Sequence, residues 1–195
     1  MTAFSQKHQN RRAKKPADEH LLNAITWLVN HYQCDGVLDF GAGYGRYTEA
    51  LRACGIAAEG CDASEGQGTK EHPIAQVDLT AVGSGALWRV NNKDMDRALR
   101  ICIEVGEHVK PDDTRDFLIN VFNKYNWGPD KDKVLLSWAV PNQRGRGHIN
   151  CKLPEELLFL ITSWNLGFFD VEATKKVREI AGKNWSNRLM VFKCQ

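Results

Sequence analysis

The stretch Val37-Leu38-Asp39-Phe40-Gly41-Ala42-Gly43-Tyr44-Gly45 decides the fold. An apolar run carrying one acid breaks into three glycines at alternate positions and passes into a helical pattern. That order reads as strand, tight turn and helix built to hold a nucleoside-containing ligand. Glycines accept positive φ and lack Cβ, so the backbone turns sharply and lies directly against what it binds. Beyond Gly45 a second apolar strand, over 57–61, runs into Asp62 and Ala63. A carboxylate there accepts hydrogen bonds from both hydroxyls of a ribose, and bonds to a charged acceptor are the stronger kind.

Two cofactor classes compete for such a turn. A dinucleotide fingerprint requires Gly-x-Gly-x-x-Gly, whose last glycine lets helix and strand pack closely; here that position is Arg46. Asp39 stands two residues before Gly41, a poor neighbour for a pyrophosphate and a good one for a cationic amino-acid group. S-adenosylmethionine carries an ammonium, a sulfonium and no phosphate, and is the cofactor expected.

On these residues the chain, from about Ala17 onward, resembles the class I S-adenosylmethionine-dependent methyltransferases. The resemblance implies an α/β, Rossmann-like fold: a seven-stranded, mostly parallel sheet with helices on both faces and an antiparallel C-terminal strand. It implies that Asp39, Gly41, Ala42, Gly43 and Gly45 wrap the methionine part of the cofactor and that Asp62 and Ala63 hold the ribose. Asp78 and Leu79, in Gln76-Val77-Asp78-Leu79, would lie beside the adenine, with Glu104 completing the cofactor wall. Asp78 has a second reading, as the cap of a turn after a short strand.

At 195 residues, 43% of them hydrophobic, the chain suits one substantial core. Residues 17–195 are read as that domain. The segment 1–16 is a basic tail, with Lys7, Arg11, Arg12, Lys14 and Lys15 ahead of the first acid, Asp18. It is too polar to bury much; a solvated tail, contact with RNA or an acidic membrane, and a targeting peptide are the alternatives. The net charge of +2 gives the body no marked preference for polyanions. No apolar run approaches the ~20 residues of a membrane span. Six scattered cysteines with no Cys-x-x-Cys pair read as reduced thiols, hence an intracellular, cytoplasmic protein.

Periodicity predicts a helix from about Ala17 with Leu21, Ile25, Leu28 and Tyr32 on one face. Strands are expected at 36–40, 57–61, 74–77, 100–104 and 133–140, with helices over 44–54, 113–125 and from Pro154 toward Gly167. The stretch 80–97 reads as a short helix plus loop. Residues 168–176 and 187–194 read as a terminal antiparallel pair. Trp138 and Trp164 fit core positions, whereas Trp88 and Trp185 are candidates to line an aromatic pocket.

Two further stretches carry candidate acceptor chemistry. Glu104-Val105-Gly106-Glu107-His108 follows strand four on the rim where open α/β sheets bind ligands. It is similar to the Glu-Val-x-Glu-His segment of ubiquinone-biosynthesis-type small-molecule O-methyltransferases. That resemblance implies a divalent cation, such as Mg²⁺, held by Glu104, Glu107 and His108 near an acceptor hydroxyl. His108 as a general base, or as a residue that stabilises a turn, are the other readings. Pro141-Asn-Gln-Arg-Gly-Arg-Gly-His-Ile-Asn150 follows strand five, and supplies Arg144 or Arg146 for an anionic group and His148 as a second base. The expected reaction is direct in-line methyl transfer to a small-molecule or glycan acceptor, through oxygen. An RNA or protein acceptor held by the basic tail, or a catalytically silent cofactor-binding subunit, are the alternatives.

Overall fold

In the computed structural model of the chain, the described residues are 16–65, 67–69, 73–84, 95–122 and 131–194. The basic segment up to residue 15, the greater part of 80–97 including Trp88, and Trp127 lie outside them.

Seven strands form one sheet: β1 Gly36–Phe40, β2 Ala58–Asp62, β3 Ala75–Gln76, β4 Ala98–Cys102, β5 Lys133–Leu136, β6 Gly167–Phe169 and β7 Met190–Cys194. Their order is β3-β2-β1-β4-β5-β7-β6. The first five pair in parallel, whereas β7 runs antiparallel to both β5 and β6. The order reverses between β1 and β4, and a crevice opens at the carboxyl ends of strands where an α/β sheet does this. The expected sheet is therefore present.

Among the described residues five helices flank it: α1 Glu19–Tyr32, α2 Arg46–Ala53, α3 Thr114–Phe122, α4 Pro154–Ser163 and α5 Val171–Ala181. Because side chains alternate along a strand, β1 feeds two cores. Val37 packs with Leu21, Ile25, Leu28, Leu51 and Val177 under α1, α2 and α5. Leu38 and Phe40 face Phe117, Val121, Leu157 and Ile161 under α3 and α4.

Three expectations are corrected. β4 begins and ends two residues earlier than 100–104: Ala98 pairs with Gly36 at its start, and past its end the Glu104 amide donates to Ser137 Oγ at 2.9 Å while φ of 56° turns that residue out of the ladder. β5 stops at Leu136 rather than at residue 140, since its neighbour β7 starts at Met190, directly opposite Leu136, and leaves nothing further to pair with. Residues 168–176 are not one strand: β6 ends at Phe169 and α5 follows. Asp170 caps that helix by accepting from the Ala173 amide at 3.0 Å, while Ala173, Val177 and Ala181 recur every four residues on its buried side.

All six cysteines are free, with Cys61, Cys102 and Cys194 buried as small hydrophobes. Among the described residues no helix is long and apolar enough to cross a membrane. Trp138 is core, as expected, and Trp164 packs half-buried against the same cluster. Trp185 is also buried in a core cluster, not lining an open pocket.

Candidate cofactor and acceptor site

The glycine turn is stapled to the neighbouring strand. The amides of Gly41 and Ala42 both donate to the Cys61 carbonyl, at 2.8 and 2.9 Å. Asp62, the last residue of β2, accepts from the Gly43 amide at 2.9 Å through one oxygen and from the Ser64 amide at 2.9 Å through the other. A carboxylate oxygen has two lone pairs, so each retains one toward the crevice. Gly41 has φ of 82°, and a Cβ there would lie 2.5 Å from the Val105 side chain. The segment after β4 thus packs directly on the cofactor turn. Gly43, at φ 56°, has open space where its Cβ would stand, which is the room a closely held ligand needs.

Asp39 lies beneath this turn, 4% exposed, and accepts from Thr48 Oγ1 at 3.2 Å. Burial pushes its carboxyl up to about 7; Asp62 adds to the shift, while Thr48 and Arg46 oppose it. A buried acid with one weak partner is completed by a cation, and the ammonium of S-adenosylmethionine is one. The residues present fit that cofactor. Asp78 is exposed and its Oδ1 is taken by the amide and hydroxyl of Thr80, at 2.9 and 2.7 Å. It therefore caps its turn, and only Oδ2 remains for a ligand. Leu79 is buried, its carbonyl held by Asn120 Nδ2 at 2.8 Å.

The acceptor side gathers residues from two segments. Gly106–His108 form a 3-10 turn. The loop after β5 is tied onto it: the amides of Ile149 and Asn150 donate to the Glu107 carbonyl at 2.9 and 3.1 Å. As a result Glu107, His108 and His148 each place a ligand-capable atom within 4.8 Å of the others. His108 Nδ1 lies 3.0 Å from the Gly147 carbonyl, and His148 Nδ1 lies 3.2 Å from the Gln143 carbonyl. A carbonyl can only accept, so each Nδ1 carries a proton, and in the neutral imidazole that leaves Nε2 as the acceptor. The two rings meet edge to face at 5.1 Å.

Glu107 is fully buried, and neither oxygen has a hydrogen-bond partner among the described residues. His148 Nε2 stands 3.9 Å from Oε1, too far for a hydrogen bond. Burial pushes this carboxyl up to about 7; the amides of Glu107 and Ala139 favour the anion without a well-directed bond, and the charge of Glu104 opposes it. A buried carboxylate without a partner and one ring nitrogen from each of two histidines, all within 4.8 Å of one another, are donors of the kind a divalent cation takes. Two nitrogens suit Mn²⁺, Co²⁺ or Zn²⁺ better than Mg²⁺, which prefers oxygen.

Glu104 is not part of that cluster. Its carboxylate accepts from Ser137 Oγ at 3.0 Å, Gln143 Nε2 at 3.0 Å and Arg188 Nη1 at 2.8 Å. Arg144 and Arg146 are exposed on the loop. Sequence reasoning missed Gln143, Arg188, Ser137 and Asn150. Asn150 is buried, donates to Thr114 Oγ1 at 2.8 Å, and through its carbonyl receives Trp138 Nε1 at 2.5 Å. No pattern in the chain marks these residues; only the return of the α5–β7 loop to the same rim brings Arg188 there.

No protein-family model matches the chain, and no curated protein does. Solved structures do. A Burkholderia thailandensis 1,6-didemethyltoxoflavin-N1-methyltransferase, solved with 1,6-didemethyltoxoflavin and S-adenosylhomocysteine bound, is 16% identical at a TM-score of 0.58, over 98% of this chain and 85% of that one. A SAM-dependent methyltransferase from Archaeoglobus fulgidus is 14% identical at 0.53, over 88% and 94%. The small RNA methyltransferase HEN1 is 14% identical at 0.57, over 89% of this chain and 25% of that one.

The chain has the class I methyltransferase fold.

Within that fold the turn at Gly41–Gly45 and the cluster at Glu107 stand on adjoining parts of one rim, joined by the contact of Val105 with Gly41.

Proposed function

We propose that this protein is an S-adenosylmethionine-dependent methyltransferase that transfers the methyl group to a hydroxyl of a small-molecule or glycan acceptor. The observation that carries the reading is the adjacency of two incomplete sites: a buried Asp39 with one partner, Thr48, under the glycine turn, and an unpartnered Glu107 with the imidazoles of His108 and His148 beside it. Asp39, Gly41, Ala42, Gly43 and Gly45 would hold the methionine end of the cofactor. Asp62 and Ala63 would hold its ribose, Asp78 through Oδ2 and Leu79 its adenine, and Glu104 would close the wall.

The bound cofactor supplies an electrophilic methyl on a sulfonium. The acceptor oxygen attacks in line; its bond to the methyl forms as the sulfur–methyl bond breaks and the electron pair stays on sulfur. Holding the two reactants aligned accounts for most of the acceleration. The acceptor proton would pass to Glu107, His108 or His148, of which His108 is the exposed one and Glu107 the buried one. Glu107, His108 and His148 would hold a divalent cation, whose charge would favour the ionised form of the acceptor hydroxyl.

The test uses labelled S-adenosylmethionine with metabolite, glycan and RNA extracts, alongside calorimetry of cofactor binding. Glu107→Gln, His108→Ala and His148→Ala should bind cofactor as the wild type does and lose methyl transfer by about 10²-fold or more. Binding of NAD in place of S-adenosylmethionine overturns the cofactor assignment. Full activity in both histidine variants removes them as bases or ligands. If chelation abolishes activity and Mn²⁺ or Co²⁺ restores it, the cation reading stands; indifference to chelator leaves proton transfer alone.

A second reading, an RNA hydroxyl as acceptor, is supported by the likeness to HEN1 and by Arg144 and Arg146 on the acceptor loop. Labelling of the RNA extract, falling steeply as salt is raised, would favour it.

A further inference from the structure

The loop after β5 holds two histidines by its own backbone. It turns at Val140-Pro141-Asn142-Gln143, where the Gln143 amide donates to the Val140 carbonyl at 3.0 Å and Asn142 has φ of 69°. Proline second and asparagine third, at positive φ, are what a type II turn takes. Beyond the turn, the Gln143 carbonyl meets His148 Nδ1 and the Gly147 carbonyl meets His108 Nδ1. The Gly145 backbone passes so close to the His148 ring that a Cβ there would collide with Nε2 and Cε1. The ring is thus gripped from two sides, and its side chain is left 12% exposed.

The two carbonyls are tethered differently. Gly147 stands just before Ile149 and Asn150, whose amides are bound by the Glu107 carbonyl. Gln143 lies at the other end of the loop. Among the described residues its side chain is the one within 141–147 that bonds the body of the protein: Nε2 donates to Glu104 Oε2 at 3.0 Å, while Oε1 accepts from the Val140 amide at 3.4 Å. Glu104 is fixed in turn by Ser137 Oγ, just past β5, and by Arg188 Nη1. A side-chain amide that bonds neither imidazole therefore sets where the carbonyl for one of them stands.

A neutral histidine ring left to water carries its proton mainly on Nε2, and a bond from Nδ1 to a fixed carbonyl reverses that preference. We propose that Gln143 is a positioning residue: through its side-chain bond to Glu104 it holds its own carbonyl on His148 Nδ1, and so keeps Nε2 of the neutral ring free to take a proton. One partner holding the far nitrogen so that the near one can act is also how the histidine of a catalytic triad is oriented. The consequence for methyl transfer rests on the reading of His148 as a base given under Proposed function, whereas the protonation state of the ring does not depend on it. Removing the Gln143 amide should release His148 and leave His108, whose carbonyl is anchored through Glu107, as it was.

The experiment uses the full chain with isotopically labelled histidine and reads the ring-nitrogen shifts by NMR at about pH 8, where the two neutral tautomers are told apart. Wild type is compared with Q143M, and H108Q and H148Q assign the two rings among the six histidines. In the wild type both rings should be protonated on Nδ1. In Q143M, which keeps the length of the side chain and loses its amide, His148 should pass to a mixture dominated by the Nε2-protonated form while His108 stays unchanged. With labelled S-adenosylmethionine and the extract that accepts the label, kcat of Q143M should fall about tenfold or more, and KM for S-adenosylmethionine should stay within about twofold. A wild-type His148 protonated on Nε2, a Q143M ring still protonated on Nδ1, or both rings shifting alike overturns the proposal. A shift of His148 alone with kcat unchanged supports the role of Gln143 and removes His148 as the base. If the wild type labels no extract, the methyl-transfer reading falls, and the ring-nitrogen shifts still decide for or against Gln143. Should Q143M fail to fold, Q143N, whose amide is one methylene too short to reach Glu104, makes the same comparison.

Discussion

At the scale of single residues, the site is set by which acids are given partners. Asp39 is nearly inaccessible, and its carboxyl is pushed up to about 7 by burial, with the charge of Asp62 adding; Thr48 and Arg46 oppose the shift. Its pKa in the unfolded chain is about 3.9. Between these values the native state binds the proton and the unfolded state does not, so the contribution of this group to stability is greatest below pH 4 and is lost as pH rises toward 7. The loss attributable to this group is on the order of 3 to 4 kcal/mol. Urea unfolding of the ligand-free protein at a series of pH values should show the decline, and Asp39→Asn should reduce its slope, the remainder coming from Glu107, whose carboxyl burial also pushes up to about 7. An Asp39→Asn profile parallel to wild type would show that the carboxylate is solvated after all. The acids themselves were legible in the sequence: Asp39 and Asp62 stand where their spacing from the glycines put them, and Glu107, His108 and His148 come together as residues following strands that end on one rim. Their partners were not legible. Nothing in Glu104-Val-Gly-Glu107 says which carboxylate will meet an arginine 84 positions away and which will meet nothing. Arg188 lies in a loop whose only sequence character is polar, and its role depends on where that loop returns.

At the scale of elements, the first half of the chain was readable because its signals are local. β1 spans 36–40 as its apolar run indicates, and α1 starts at the cap Asp18, whose side chain accepts from the Leu21 amide at 3.1 Å. The last third was harder. Phe168, Phe169 and Val171 favour a strand by residue type, and that preference hid Asp170 as a helix cap. In the fold, Asp170 ties three elements. It caps α5, accepts from the Tyr32 hydroxyl of α1 at 2.7 Å, and pairs with Lys193 of β7 at 2.8 Å. Asp170→Ala should therefore cost more than an ordinary cap. Loss of the cap is worth about 1 kcal/mol, and leaving the half-buried Tyr32 hydroxyl unpartnered adds about 1 to 2. Urea denaturation should show a loss of about 2 to 3 kcal/mol, with Tyr32→Phe in the same background costing little more. A change below 0.5 kcal/mol would mean that water replaces all three contacts. The strand ends were misjudged for a different reason. β4 and β5 carry apolar residues beyond their last paired positions, and only the length of the neighbouring strand decides where a ladder stops.

At the scale of the whole molecule, the parallel half of the sheet and its reversal between β1 and β4 follow from the alternation of elements, whereas the position of the last strand does not. β7 enters between β5 and β6, so β6 touches the sheet through β7 alone. That arrangement sets a hierarchy of local opening. A fluctuation that frees Met190–Cys194 from β5 carries β6 out of the sheet with it, whereas β6 can detach from β7 and leave the rest intact. In native-state hydrogen exchange, opening free energies measured for β7 amides should thus form a ceiling for those of β6, and β1 and β4, paired on both sides, should approach the global value. Slower exchange at β6 than at β7 would break this nesting. The rim loop bearing Arg188 leads straight into β7, so the arginine that pairs with Glu104 is anchored to an interior strand, while the outermost one can fray without disturbing it.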